Sequence, residues 1–288
     1  MSGLDDVEGP AERAIYIAFG FPYLVMAAHS IATLKRTNPG LPITLVTDCG
    51  EYWSHLGDVD QEDSLVEHDS SIDPRVIKTS IDQVSQAPRN VFIDCDTEIH
   101  GSLRPLLGLL EFFDLAARPQ TKPVPGDKGA LPLFDGRFQV RDLPHWNSGV
   151  IAFRQSAETH AFFERWLSCY RRDESGFDQP PMVEAILTSS AKVCPLNSQW
   201  NAGYSEFRKK PDETVILHYT SDIGTKLEKK LLDLGAKLCD SANSKDLREL
   251  ESFLEKRRQG RLNRGKKVRG YKVQRIFRLA RNYFLKKS

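Results

Sequence analysis

The residues best placed to do chemistry are Asp94 and Asp96, which flank Cys95 directly after the apolar run Val91-Phe92-Ile93. Two carboxylates at i and i+2 beyond a buried strand are spaced to share one hard cation through oxygen ligands. A cation with so few protein ligands keeps open positions for phosphate oxygens. The same Asp-x-Asp is also a common turn-former, so the motif alone leaves both readings open. Lys78, Asp178-Gln179 and His218 are further groups able to carry charge or a proton. Each has a plain alternative: Lys78 a solvated surface charge, Asp178 a cap on the helix that follows it, His218 a hydrogen-bonded structural residue.

The surrounding elements must bring these groups together. Ala14–Phe19 reads as a buried strand ended by Gly20-Phe21-Pro22, and Tyr23–Lys35 as a helix with Leu24, Ala27, Ala28, Ile31 and Leu34 at helical spacing. Asn38-Pro39-Gly40 turns the chain into a second strand, Ile43–Thr47, ending at Asp48. This β-α-β opening predicts a mostly parallel sheet covered by helices. Such sheets bind ligands at the carboxyl ends of their strands, where Phe19, Gly20, Phe21 and Asp48 fall. Val76–Ser80 begins a further unit and Val91–Ile93 is the strand before the paired aspartates. Leu103–Leu115 reads as a helix, and Pro119–Phe138 as a long loop or lid. Val150–Phe153 is a strand that Asn147-Ser148-Gly149 enters as a tight turn. Ala157–Tyr170 and Pro180–Thr188 read as helices, and Val215–Leu217 is a last strand delivering His218. Trp146 and Trp200 read as packing residues.

The 288 residues are 40% hydrophobic and 27% charged, enough for a packed core and too mixed for a rod, a collagen or a disordered chain. Five scattered cysteines with no C-x-x-C argue against a disulfide framework or a zinc ribbon. The acidic start MSGLDDVEGPAER has no apolar stretch of the signal-peptide kind. The expectation is a cytoplasmic protein. The net charge of +1 is unevenly distributed: Lys256–Ser288 holds 14 Lys and Arg and no acid, leaving 26 basic and 39 acidic residues before it.

The order of these segments resembles the GT-A glycosyltransferases. It runs from strand-helix-strand to Asp48, through Lys78-Thr79, Phe92-Ile93-Asp94-Cys95-Asp96-Thr97 and Trp146-Asn147-Ser148-Gly149-Val150, to Asp178-Gln179 and Ile216-Leu217-His218. Within that fold it is similar to family 8, the group of retaining galactosyl- and glucosyltransferases and glycogenins, over roughly Ala14 to Thr220. The resemblance implies an α/β fold of the nucleotide-diphospho-sugar transferase type, with a catalytic domain over 1–226 and a helical extension over 227–288. It implies that Asp94, Asp96 and His218 bind Mn²⁺ or Mg²⁺, which bridges the phosphates of a nucleotide-sugar and stabilises the departing diphosphate. Phe19, Gly20, Phe21 and Asp48 would line the base and ribose pocket, Lys78 would reach the donor, and Asn147 and Ser148 would face the donor sugar. Asp178 and Gln179 would sit at its anomeric carbon.

The implied reaction moves a hexose from a UDP-sugar, most simply UDP-glucose or UDP-galactose, to a hydroxyl of a glycan or lipid-linked acceptor, with retention. One departure is plain. The family often continues its histidine as H-x-x-G-x-x-K, whereas here Gly224 and Lys226 are displaced.

Two other functions compete. A scaffold of the same fold would bind nucleotide or sugar without catalysis. A haloacid dehalogenase-type phosphohydrolase also carries Asp-x-Asp, but it normally has Thr or Val where Glu98 stands and places the motif on its first strand. The tail segment Val268–Leu285 puts Val273, Ile276, Phe277, Ala280 and Phe284 on one helical face with Arg and Lys around it. A basic amphipathic helix of this kind suits an anionic membrane surface, which would seat the protein peripherally on the inner face. Packing on the acidic body is the alternative, and no nucleic-acid partner is expected.

Overall fold

The computed structural model describes residues 11–57, 59–120, 132–134, 137–139, 143–172, 176–219, 224–239 and 245–259. In chain order the elements are β1 (Glu12–Ala18), α1 (Phe21–Thr37), β2 (Ile43–Thr47), β3 (Ser64–Glu67), α2 (Pro74–Lys78), β4 (Arg89–Ile93), β5 (Thr97–Ile99), α3 (Arg104–Gly108), β6 (Leu115–Gln120), β7 (Pro132–Leu133) and β8 (Phe138–Gln139). They continue with β9 (His145–Arg154), α4 (Ala157–Arg172), α5 (Gln179–Thr188), β10 (Val193–Pro195), β11 (Ala202–Gly203), α6 (Tyr204–Phe207), β12 (Ile216–His218) and α7 (Thr225–Leu238). A last described helix, α8, spans 245–259. The chain divides into two compact units, Met1–Tyr219 and Thr220–Ser288.

The first unit is built on a seven-stranded sheet in the order β10-β6-β9-β4-β1-β2-β3. β3, β2, β1 and β4 are parallel, β9 runs against both β4 and β6, and β10 is parallel to β6. β2 is buried along its whole length, which explains its unbroken apolar and threonine sequence Ile-Thr-Leu-Val-Thr. After β3 the chain returns to place β4 on the other side of β1. That reversal opens a crevice at the carboxyl ends of β1 and β4, where open α/β sheets bind ligands.

The core lies between this sheet and helices α4 and α5. Phe162, Phe163 and Trp166 of α4 pack with Met182 and Ala185 of α5 onto Ile15, Phe92, Ile151 and Phe153. Phe153 meets Phe163 edge-on at 5.1 Å between ring centroids. A second, three-stranded sheet, β11-β12-β5, continues from the end of β4. β12 runs antiparallel to β5, setting His218 opposite Thr97.

The sequence-based expectations differ from this architecture in two places. The long helix expected over Leu103–Leu115 is instead α3, one 3₁₀ turn over Leu109–Glu111, and the start of strand β6 at Leu115. The apolar residues there read as one helical face, but Leu115–Ala117 pair with β9 and β10. Asn147-Ser148-Gly149 is not a turn: it lies inside β9. Most of the expected lid, 121–131 and 135–136, lies outside the described residues, as does the amphipathic segment Val268–Leu285. Among the described residues no helix is long and apolar enough to cross a membrane.

Candidate active site

β4 carries the first aspartate to the edge of the crevice. The Asp94 N–H donates to Gly149 O at 2.8 Å, prolonging the β4–β9 ladder by one residue. The backbone then bends into β5, and Thr97 Oγ1 closes the bend by donating to Asp94 O at 2.9 Å. Cys95 is buried, and the alternation of side chains leaves Asp94 and Asp96 on one side of the bend. Tyr219 N–H donates to Asp96 O at 2.9 Å, so the second aspartate is tied to the small sheet.

β12 brings His218 to the same point. Its Nε2 lies 3.1 Å from Asp96 Oδ1 and 3.7 Å from Asp94 Oδ2. One ligand atom from each of these three residues falls within 4.8 Å of the others, a spacing suited to a single cation. Gly149 keeps the place clear: a Cβ on it would stand 2.3 Å from His218 Cε1 and 2.9 Å from Asp94 Oδ2. Two carboxylates and an imidazole are a donor set for Mn²⁺ or a similar ion.

Asp178 approaches from the other wall, at the start of α5. Although it occupies the N-cap position, its side chain makes no capping bond. Its Oδ2 instead accepts from Ser148 Oγ at 2.6 Å and lies 3.2 Å from Lys78 Nζ. Trp166 Nε1 donates to the Asp178 carbonyl at 2.8 Å, fixing the backbone there from the core side. Lys78 ends α2, only 9% exposed, with its ammonium 3.0 Å from Asp94 Oδ1 and above the Phe92 ring. It is a buried bridge between the two walls, not a solvated surface charge.

The electrostatics follow from this arrangement. Burial disfavours the Lys78 ammonium, but Asp178 and Asp94 outweigh it and hold its pKa above the usual lysine value. Burial likewise raises Asp178, yet Lys78 and the Ser148 hydroxyl bring it below the ordinary aspartate value. Asp94 is pushed up by burial and by the nearby Asp96 and Asp178 carboxylates, against the pull of Lys78 and His218. For His218, burial opposes charge, but Asp96 and Asp94 prevail and raise it. Three carboxylates face one ammonium, an excess of negative charge that a divalent cation would neutralise.

A cavity of about 350 Å³ opens beside these groups. Its lining includes Phe19, Tyr23, Arg75, Lys78, Asp94, Asp96, Ser148, Asp178 and Gln179. The structure therefore gathers Phe19, Lys78, Asp94, Asp96, Ser148, Asp178 and Gln179 around one space, with His218 at the aspartates. Gln179 Oε1 accepts from Gln120 Nε2 at 2.9 Å. Gly20 has φ +81° before α1, a conformation that suits glycine, and its N–H donates to Asp48 Oδ1 at 2.7 Å. Phe21 is 2% exposed and packs against Tyr52, turned toward the core. Asn147 Oδ1 accepts from Gly149 N–H and from Asn201 Nδ2, so its oxygen is engaged inside the protein. Lys226 lies in the first turn of α7, in the second unit.

Sequence reading missed Asn201, which meets His218 from behind, and the Arg118–Glu206 pair that holds its backbone. The only local sign was Asn201 beside the buried Trp200.

No protein-family model matches the chain, and no curated protein matches it in sequence. Solved structures do match. The galactosyltransferase LgtC, in complex with donor and acceptor sugar analogs, aligns at TM-score 0.55 and 13% identity over 80% of this chain and 98% of its own. WbbM, a bifunctional glycosyltransferase, aligns at TM-score 0.58 and 14% identity over 88% of this chain and 52% of its own. The glycosyltransferase GlyE of Streptococcus pneumoniae TIGR4 aligns at TM-score 0.53 and 15% identity, over 80% of this chain and 62% of its own. At these identities the likeness is one of fold, and the fold of this chain is the GT-A fold of the glycosyltransferases.

Proposed function

We propose that this protein is a metal-dependent glycosyltransferase that moves a hexose from a nucleoside diphosphate sugar, UDP-glucose or UDP-galactose, to a hydroxyl of a glycan or lipid-linked acceptor. The observation that carries the reading is the convergence of Asp94, Asp96 and His218 on one point, beside a cavity that Asp178 and Gln179 also line. Asp94, Asp96 and His218 would hold Mn²⁺ or Mg²⁺, which when bound supplies positive charge for the diphosphate leaving group. Phe19 stands at the end of β1, where a base and ribose would lie. Lys78 fixes the two walls relative to each other and adds positive charge beside the phosphates. Asp178, held ionised by Lys78 and Ser148, faces the space left for the sugar and would steady positive charge developing at its anomeric carbon. Gln179 sits beside it. Retention of configuration rests on the resemblance to family 8.

Melting curves with UDP, GDP, ADP and CDP, each with and without Mn²⁺, test the reading, because a ligand that binds the native state raises Tm. The expected result is a rise with UDP that requires Mn²⁺ and disappears in Asp96→Ala. Stabilisation by no nucleotide under any condition would overturn the donor site and leave a scaffold of the same fold.

A further inference from the structure

We infer that Asn201 is a positioning residue that dictates which nitrogen of His218 is available as a ligand, and that a single backbone N–H, that of Gly149, sets the direction of the hydrogen bonds leading to it. The inference deepens the metal-site reading above and rests on it.

The argument starts from the one group whose polarity is fixed. A backbone N–H only donates, and that of Gly149 points at the Asn147 side chain at 2.8 Å. The receiving atom must be the amide oxygen, which settles the orientation of Asn147. The same oxygen lies 2.9 Å from the Asn201 side chain, so the Asn201 atom facing it must be the NH₂ group. The Asn201 oxygen then points the other way, 2.9 Å from His218 Nδ1. An amide oxygen only accepts, so Nδ1 must carry a hydrogen. In the neutral ring the lone pair therefore falls on Nε2, the nitrogen facing Asp96 and Asp94.

Without the relay the two carboxylates would favour the other tautomer. A hydrogen on Nε2 could be shared with Asp96 at 3.1 Å, and that ring would offer no lone pair to a cation between the carboxylates. To accommodate it, Asn201 would have to rotate by half a turn and set its oxygen against the Asn147 oxygen. Asn201 is 2% exposed and His218 6%, so water has little access to relieve such a contact. Asn201 is also held by its backbone: its carbonyl accepts from Arg118 Nη1, whose guanidinium makes a two-pronged pair with Glu206 at 2.8 and 2.6 Å. Glu206 in turn accepts from Gly203 N–H at 2.9 Å. The amide of a metal-ligating imidazole's partner is thus fixed from both ends, the arrangement that sets ring orientation and ligand basicity in metal sites.

The test is Mn²⁺ titration of the full chain, followed by the electron paramagnetic resonance signal of the free ion, with no sugar donor present. Asn201→Ala is expected to weaken Mn²⁺ binding by about 10- to 100-fold. Asn201→Asp keeps an acceptor against Nδ1 but sets an oxygen against the Asn147 oxygen, so it is paired with Asn147→Ala, and the double variant is expected to restore binding to within a few-fold of wild type. Asn147→Ala leaves Asn201 able to turn and should weaken binding without removing any group that touches the histidine. Metal-free melting temperatures of each variant separate loss of folding from loss of the relay. Wild-type affinity in both Asn201→Ala and Asn147→Ala, with His218→Ala impaired, would overturn the relay and leave the metal site standing. Absence of Mn²⁺ binding by the wild type would overturn both.

Discussion

Replacing Gly149 by alanine tests the closeness of the site most directly, because the backbone there tolerates a side chain and the surroundings do not. Gly149 lies within β9 without a positive φ, so alanine meets no conformational barrier. Its Cβ would, however, stand 2.3 Å from His218 Cε1, 2.7 Å from Nδ1 and 2.9 Å from Asp94 Oδ2. Non-bonded carbons normally rest about 3.5–4.0 Å apart, so the imidazole or the strand carrying it must retreat by roughly 1.2 Å or more. The ring has little freedom to do so: Asn201 stands behind Nδ1, and β12 is held to β5 opposite Thr97. Overpacking of this kind costs about 1–3 kcal/mol, offset by the roughly 0.5–1 kcal/mol that alanine gains over glycine in a strand. A net loss of up to about 2.5 kcal/mol should lower the metal-free Tm by a few degrees. Mn²⁺ affinity should fall further, by at least 10-fold, because the donor set is spread while the Gly149 N–H is retained. Isothermal titration with Mn²⁺ alone, beside melting curves, separates the two effects. An alanine variant with wild-type Mn²⁺ affinity would refute the reasoning that this glycine exists to seat His218 beside Asp94.

Lys78→Met removes the only cation within hydrogen-bonding distance of both Asp94 and Asp178 among the described contacts. Two largely enclosed carboxylates are then left facing each other, at a cost of about 2–3 kcal/mol, below the usual range of about 3–5 kcal/mol because Asp94 keeps some exposure. Urea unfolding should show this loss without metal and a smaller one with saturating Mn²⁺; equal losses would separate Lys78 from the cation site. A second prediction concerns acid. His29, with Nε2 3.6 Å from Oε2, and the Tyr219 hydroxyl that donates to Oε2 together outweigh burial and hold Glu98 down to about 2, against an ordinary value of 4.5. Its folded pKa is depressed, so its contribution is complete above about pH 4.5 and is lost as pH falls toward 2. Glu98→Gln should flatten that part of the stability profile in urea titrations between pH 2.5 and 6, and an unchanged acid limb would argue against the cluster.

What the sequence made legible was whatever is local or periodic. The strands β1, β2 and β4 announce themselves by apolar runs that stop at Gly20, Asp48 and Asp94, and the Asp-x-Asp spacing follows from chain geometry alone. Gly149 was misread for a physical reason. Asn-Ser-Gly has the composition of a turn, whereas the need for glycine arises from His218, 69 positions later, occupying the volume of its missing Cβ. Nothing local to Lys78 decides between a solvated surface charge and a contact with the donor; its burial depends on carboxylates from two other elements. Asn201 left almost no trace, since its partners Asn147 and His218 are set by sheet pairing and not by any local pattern. Residues that act by touching a neighbour distant in sequence become visible only once the strands are paired.

The way the two sheets meet explains why this site needs so few residues. β4 belongs to the seven-stranded sheet and β5 to the three-stranded one, with only Asp94-Cys95-Asp96 between them. Asp94 is still laddered to β9 through Gly149, while Asp96 is already tied to the residue after β12 through Tyr219 N–H. The two carboxylates are therefore held by backbone hydrogen bonds of different sheets, and the imidazole comes from the strand that pairs with β5. A group bound to all three closes the seam between the sheets, and its position is determined by strand ladders on both sides rather than by loop conformation. Sites built on strands in this way hold their ligands to closer tolerance than sites on loops. That accounts for the tight environment around Gly149 and for the buried amide behind His218: once the seam is rigid, any added atom or turned amide must be accommodated by the ligands themselves.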